Sequence, residues 1–152
     1  MKLKAIILGA GYRGRAYAEY AQSHPDQLEI VGVADPVQAD AIPAPRYWND
    51  WKECLADKPE AGNVMITMPD SLHHDSAIAA LDAGYHLLLE KPISPTEEEC
   101  REVIGKALEK KRLVIVGHIL RYTAYFAHIK ALIDSGELGE VVSIAHQESA
   151  GF

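Results

Sequence analysis

The chain lacks the features that would tie it to a disulfide scaffold, a nucleic acid or a membrane. Its 152 residues hold two cysteines, Cys54 and Cys100. Two cannot make a disulfide framework, so both read as reduced thiols, Cys100 on the core face of a helix. Basic residues are outnumbered, 15 Lys and Arg against 22 Asp and Glu, for a formal net charge of −7. With Lys110-Lys111-Arg112 as its basic cluster, the chain offers a phosphate backbone little to hold, and no nucleic acid is expected as a partner. No apolar run approaches the ~20 residues of a membrane span. Met1-Lys2-Leu3-Lys4 before Ala5-Ile6-Ile7-Leu8 imitates a secretory signal, but Gly9, Gly11 and Arg13 break the run before any cleavage-like site. A cytoplasmic protein with no membrane partner is expected. No metal is expected either: of seven His, only His73-His74 are adjacent, and none pairs with Cys or carboxylate at zinc spacing.

What is present is an alternation of apolar strands and amphipathic helices. Strands are expected at Leu3–Leu8, Leu28–Ala34, Tyr47-Trp48, Asn63–Met68, His86–Leu89 and Leu113–Val116. Helices are expected at Tyr12–Ser23, Asp50–Ala56 and Leu72–Ala83, the last stopped by Gly84. Ala39–Pro45, rich in Ala and Pro, reads as a loop. The next helix has two candidate starts, Ser94 with Pro95 and Glu97, or Thr96 with Glu99. Cys100, Val103, Ile104, Ala107 and Leu108 form its apolar stripe. Short links between alternating elements imply an α/β fold, a doubly wound (Rossmann) parallel sheet with helices on both faces. Residues 1–121 are assigned to this domain. Residues 122–152 supply a helix with Phe126, Ile129, Leu132 and Ile133, then a strand from Val141, read as the truncated start of a second α/β domain. A strand without a neighbour cannot pair its backbone groups, so Val141–Glu148 is expected to fray or self-associate.

The chemistry begins where the first strand meets the first helix. Gly9, Gly11 and Gly14 stand at the Gly-x-Gly-x-x-Gly spacing of a dinucleotide-binding turn. Gly9 allows the tight bend, Gly11 lets backbone approach a pyrophosphate, and Gly14 lets helix pack on strand. The helix N-terminus supplies free N–H groups, and Arg13 adds a positive charge. Asp35 ends the second strand, where an acid would hold ribose hydroxyls; the plain alternative is a turn-forming Asp before Pro36. A carboxylate there repels a 2′-phosphate, and no Arg or Lys follows until Arg46, which favours NAD over NADP. Thr67–Pro69 and Glu90-Lys91 fall at the carboxyl ends of later strands, where ligands of such sheets lie. A Lys at that place can serve proton transfer. By spacing alone, a surface Lys paired with Glu90 explains the residue equally well.

The whole arrangement resembles the glucose–fructose oxidoreductase, inositol dehydrogenase and MocA-like family (Gfo/Idh/MocA). The resemblance runs from the glycine turn through Pro69-Asp70-Ser71-Leu72-His73 and Glu90-Lys91-Pro92 to Gly117-His118-Ile119-Leu120-Arg121-Tyr122. Gly136-Glu137-Leu138-Gly139-Glu140-Val141 looks like the entry into that family's second domain. The likeness implies an NAD(P)-dependent oxidoreductase moving hydride between nicotinamide and an alcohol carbon of a sugar, polyol or related small molecule. It implies that Lys91 is catalytic, with a cis peptide bond to Pro92. It adds Tyr12, Thr67, Met68, Pro69, His73, Glu90, Lys91 and Arg121 to the cofactor-binding set, Arg121 lying toward the substrate side. His74 is left as a surface residue, and Tyr122, Tyr125 and Phe126 as domain-junction packing. A homo-oligomer is expected for the full-length protein. Ile119 and Leu120 replace a polar position of many sugar-oxidising members, so the substrate stays unassigned. Alcohol-oxidising members usually carry an Asp and a His on a second-domain helix that these residues lack, so cofactor binding without turnover is expected of this chain alone. The alternatives are an NAD-dependent glycosidase and a non-catalytic nucleotide sensor.

Overall fold

In the computed structural model, which describes residues 2–148, the chain divides into two units that meet between Gly117 and His118. The first unit carries six strands: β1 (Leu3–Leu8), β2 (Leu28–Ala34), β3 (Tyr47–Trp48), β4 (Asn63–Ile66), β5 (His86–Leu89) and β6 (Val114–Val116). They form one parallel sheet in the order β3-β2-β1-β4-β5-β6. The order reverses between β1 and β4, so a crevice opens beyond the carboxyl ends of those two strands.

Alternation along each strand builds the two cores, because successive side chains leave opposite faces. On one face Ile6, Leu8, Val64, Ile66, Leu87 and Leu89 pack under α2 (Trp51–Asp57), α3 (His73–Asp82) and α4 (Glu97–Lys110). On the other, Ala5, Ile7, Ile30 and Met65 pack under Ala18 and Ala21 of α1 (Tyr12–Ser23), with Ala39 and Ile42 beside them. Helices therefore cover both faces, three on one and α1 on the other.

Boundaries shift where local chemistry outweighs pattern. Of the two candidate caps of α4, Thr96 takes the position: its hydroxyl accepts from the Glu99 N–H at 3.3 Å, and Ser94 donates to the Glu99 carboxylate. The apolar stripe of α4 is only partly a core face. Val103 and Ala107 are buried, but Ile104 and Leu108 are 50% and 75% exposed. The expected strand over Asn63–Met68 ends at Ile66, and a single 3-10 turn at Asp70–Leu72 precedes α3. Ala39–Ala41, expected as loop, forms another such turn. Gly84 closes α3 with φ at 92°, the left-handed conformation its missing side chain permits.

In the second unit, a 3-10 turn at Ile119–Tyr122 leads into α5 (Ala124–Asp134), which buries none of its residues. The strand expected from Val141 is not formed; residues 141–148 have no regular structure. Among the described residues no strand edge pairs with them, and without a ladder β geometry gains nothing. The end of the expected second domain, residues 149–152, lies outside the described residues.

Candidate dinucleotide site

The turn between β1 and α1 is built by contacts that only glycine allows. Gly9 has φ at 102°, and a Cβ there would meet the Thr67 carbonyl carbon at 2.8 Å. At Gly14 a Cβ would sit 2.1 Å from the Gly9 carbonyl oxygen, so this glycine seats the helix on the turn. A Cβ on Gly11 would meet nothing within 4 Å: this glycine faces open space. Gly11 is also the N-cap of α1, with no side-chain cap and no acid in the first turn. The first N–H groups of α1 thus point outward without an internal acceptor, as an anion requires. Thr67 locks the turn, its hydroxyl lying 2.6 Å from the Gly9 carbonyl and 3.1 Å from that of Leu8.

Asp35 holds the other side of the same turn. Its Oδ2 accepts from the Ala10 N–H at 2.8 Å, and its Oδ1 accepts from Val37 and Gln38, each at 2.9 Å. Burial opposes ionisation of Asp35, but these three N–H donors outweigh it and hold the carboxyl below the usual carboxylate range. A carboxylate offers about four acceptor directions. The remaining one, on Oδ2, is free for a hydroxyl.

Between these walls lies a cavity of about 670 Å³, lined by Gly9, Gly11, Ala34–Gln38, Asn49–Trp51, Thr67–Pro69 and Leu72. It gathers six of the expected residues: Gly9, Gly11, Asp35, Thr67, Met68 and Pro69. Asn49, Asp50, Trp51, Pro36, Val37, Gln38 and Leu72 join them without having been singled out from sequence. The signal for Asn49–Trp51 was available, since this segment follows β3 at the same carboxyl edge of the sheet. The cavity is mostly apolar around one anion-binding turn and one carboxylate, which fits a nucleoside joined to phosphate.

The other expected residues of the first unit do not line that cavity. His73 is fully buried, its Nδ1 2.6 Å from the Pro92 carbonyl and its Nε2 2.9 Å from that of Met68. The ring, expected to line the cofactor, ties the loops after β4 and β5 together and is absent from the cavity lining. Glu90 is 5% exposed, and its carboxylate faces Tyr17 and Arg13 rather than the cavity. Lys91, between these anchors, is exposed, and its bond to Pro92 is cis. Tyr12 is 78% exposed at the start of α1, with the Arg13 guanidinium 5.9 Å from its ring. Arg121 is an exposed residue of the second unit. His74 is not a plain surface residue: it contacts Asp75 at 2.9 Å and Glu102 at 2.8 Å, joining α3 to α4. Among the described residues no cluster of His, Cys, Asp or Glu could hold a metal, and no helix is long and apolar enough to cross a membrane.

A six-stranded parallel sheet in this order, with an uncapped helix N-terminus behind glycines and an acid closing β2, defines an NAD(P)-binding Rossmann domain. Residues 3–118 match the family model described as "Oxidoreductase family, NAD-binding Rossmann fold", and the chain belongs to this Gfo/Idh/MocA family. It is 33% identical over 152 residues to inositol 2-dehydrogenase of Salmonella typhimurium, covering 95% of this chain and 45% of that protein. The inositol 2-dehydrogenase of Pseudomonas fluorescens is 30% identical, covering 92% of this chain and 44% of the relative. The chain thus spans less than half the length of these relatives. Among solved structures, an NAD binding oxidoreductase from Klebsiella pneumoniae superposes with a TM-score of 0.79 at 29% identity, covering 92% of this chain and 40% of that one. The scyllo-inositol dehydrogenase of Lactobacillus casei, solved with NAD(H) and scyllo-inositol, shares the fold with a TM-score of 0.83 at 21% identity, covering 92% and 43%.

Proposed function

We propose that this chain is the cofactor domain of an NAD-dependent dehydrogenase acting on a polyol or sugar. The observation that carries the reading is the single cavity wall shared by the uncapped N-terminus of α1 and the ionised Asp35. The glycine turn would take the pyrophosphate, with Tyr12 and Arg13 on its outer side. Asp35 would accept from one ribose hydroxyl through its free Oδ2 direction. The apolar walls from Pro36, Trp51 and Leu72 suit an adenine ring.

NAD is preferred over NADP because a 2′-phosphate would meet the Asp35 charge with no cation to offset it. The nearest candidate in sequence, Arg46, is engaged elsewhere: it pairs with Asp57 and lies 4.9 Å from the Trp48 ring centre. Bound nicotinamide supplies hydride transfer. Lys91 would then hold or take the proton of the substrate hydroxyl through its Nζ, and Arg121 is assigned toward the substrate on the strength of the family resemblance. The relatives this chain resembles bear dehydrogenase or oxidoreductase names, and no observation favours the glycosidase or sensor readings.

Titration with NADH and NADPH, followed by nicotinamide fluorescence, tests the assignment. NADH is expected to bind below about 1 mM and NADPH at least roughly tenfold more weakly. Absence of both, or a preference for NADPH, would refute it.

A further inference from the structure

Tyr17 is claimed by neither the cavity nor the family resemblance, yet it reaches the centre of the site's support. It lies one helical turn after Arg13 on α1, so the two side chains share a face. Its hydroxyl donates to Glu90 Oε1 at 2.5 Å, while the Arg13 Nε stands 3.8 Å from Oε2. Each oxygen of one buried carboxylate is therefore held by a different residue of α1. The third side of the clamp is Gly117: a Cβ there would meet the Glu90 carboxylate at 2.9–3.1 Å. Burial, together with the hydrogen bond and charge of Glu90, pushes the Tyr17 phenol up to about 12 against the opposing charge of Arg13. At neutral pH the phenol remains a donor.

We propose that Tyr17 is a positioning residue which, by fixing Glu90, joins the phosphate turn of α1 to the Lys91 turn after β5 and so shapes the nicotinamide half of the site. This rests on the proposed dinucleotide function. Glu90 directly precedes Lys91, and α1 directly follows the glycine turn, so the clamp spans the two segments that the pyrophosphate and the nicotinamide of a dinucleotide would touch. The adenosine side is built from the ends of β2 and β3, on the opposite side of β1 from β5. Loss of the clamp is therefore felt by NADH and not by AMP.

The test compares wild type, Tyr17→Phe and Gly117→Ala. Tyr17→Phe removes the donor, whereas Gly117→Ala keeps it and displaces the carboxylate. NADH and AMP are titrated against each, with melting curves to establish folding. Each single variant is expected to weaken NADH roughly tenfold, the scale of a hydrogen bond to a charged group, and to change AMP by less than about twofold. The double variant should be little worse than either single one, because both act through Glu90. If Tyr17→Phe does not fold, Gly117→Ala carries the test. Unchanged NADH affinity in the folded variants overturns the clamp, as does an equal loss for NADH and AMP, which marks general loosening. Failure of wild type to bind either ligand instead removes the dinucleotide reading, and the clamp with it.

Discussion

Replacing Asp35 with Ala separates two roles of one carboxylate, holding the ribose and holding the glycine turn. The Ala10 N–H is bonded to Asp35 Oδ2, and Ala10 is fully buried, so water cannot replace the lost acceptor. An orphaned buried donor costs about 1–3 kcal/mol. The Val37 N–H sits on a residue that is 87% exposed and regains a partner from solvent. A net loss of about 2 kcal/mol corresponds to a fall in melting temperature of roughly 4–8 °C for a chain of this size. The variant should also lose at least about tenfold in NADH affinity, without binding NADPH as tightly as wild type binds NADH, because no cation has been added. Melting followed by circular dichroism and parallel nucleotide titrations measure both effects. The folded-state value of this carboxyl is lowered, so its contribution is present above the unfolded value and lost as pH falls through the folded one. The variant's stability should therefore fall less steeply than wild type below about pH 4. An Asp35→Ala protein that melts with wild type and accepts NADPH freely would refute the argument, since the carboxylate would then be serving neither role.

Other expectations rest on single contacts. His73→Leu removes the ring that lies between the part-buried carbonyls of Met68 and Pro92, and urea unfolding should show a loss of about 1–3 kcal/mol. A loss below about 0.5 kcal/mol would mean that water already serves these carbonyls. Burial opposes protonation of His74, but hydrogen bonds to Asp75 and Glu102 outweigh it and raise its proton affinity. Its stabilisation is full below the unfolded histidine value near 6.5 and is lost as pH rises through the higher folded value. His74→Gln should flatten that decline in a pH series of melting curves; an unaltered slope would assign it to another group. Cys54 is fully buried and its thiol is pushed up to about 12, by burial first and the charge of Asp57 second. In native protein Cys100, which is half-buried, should react with a thiol reagent before Cys54, as peptide mapping would show.

The parts of this molecule that the sequence made legible are those dictated by one residue's covalent nature or by a repeating pattern. Gly9 and Gly14 could be read because no other side chain fits their positions, and the strands because apolar residues recur where both sheet faces are covered. Periodicity misled where an apolar residue has no partner to cover it, as with Ile104 and Leu108 on α4 and the strand expected from Val141. The functional residues that went unread share a different property. Tyr17 and Gly117 meet a partner distant in the chain: Tyr17 reaches Glu90 across 73 positions, and Gly117 lies against the same carboxylate. Their roles follow from strand order, which brings the end of β5 beside the helix that starts after β1. His73 shows the same limit from the other side, since its position in a motif announced importance but not direction. A fully buried imidazole between two carbonyls links the loop that bears Lys91 to the loop after β4 and does not line the cavity. Sequence thus identifies which residues matter near such a turn, and packing decides whether each one touches the cofactor or holds the residue that does.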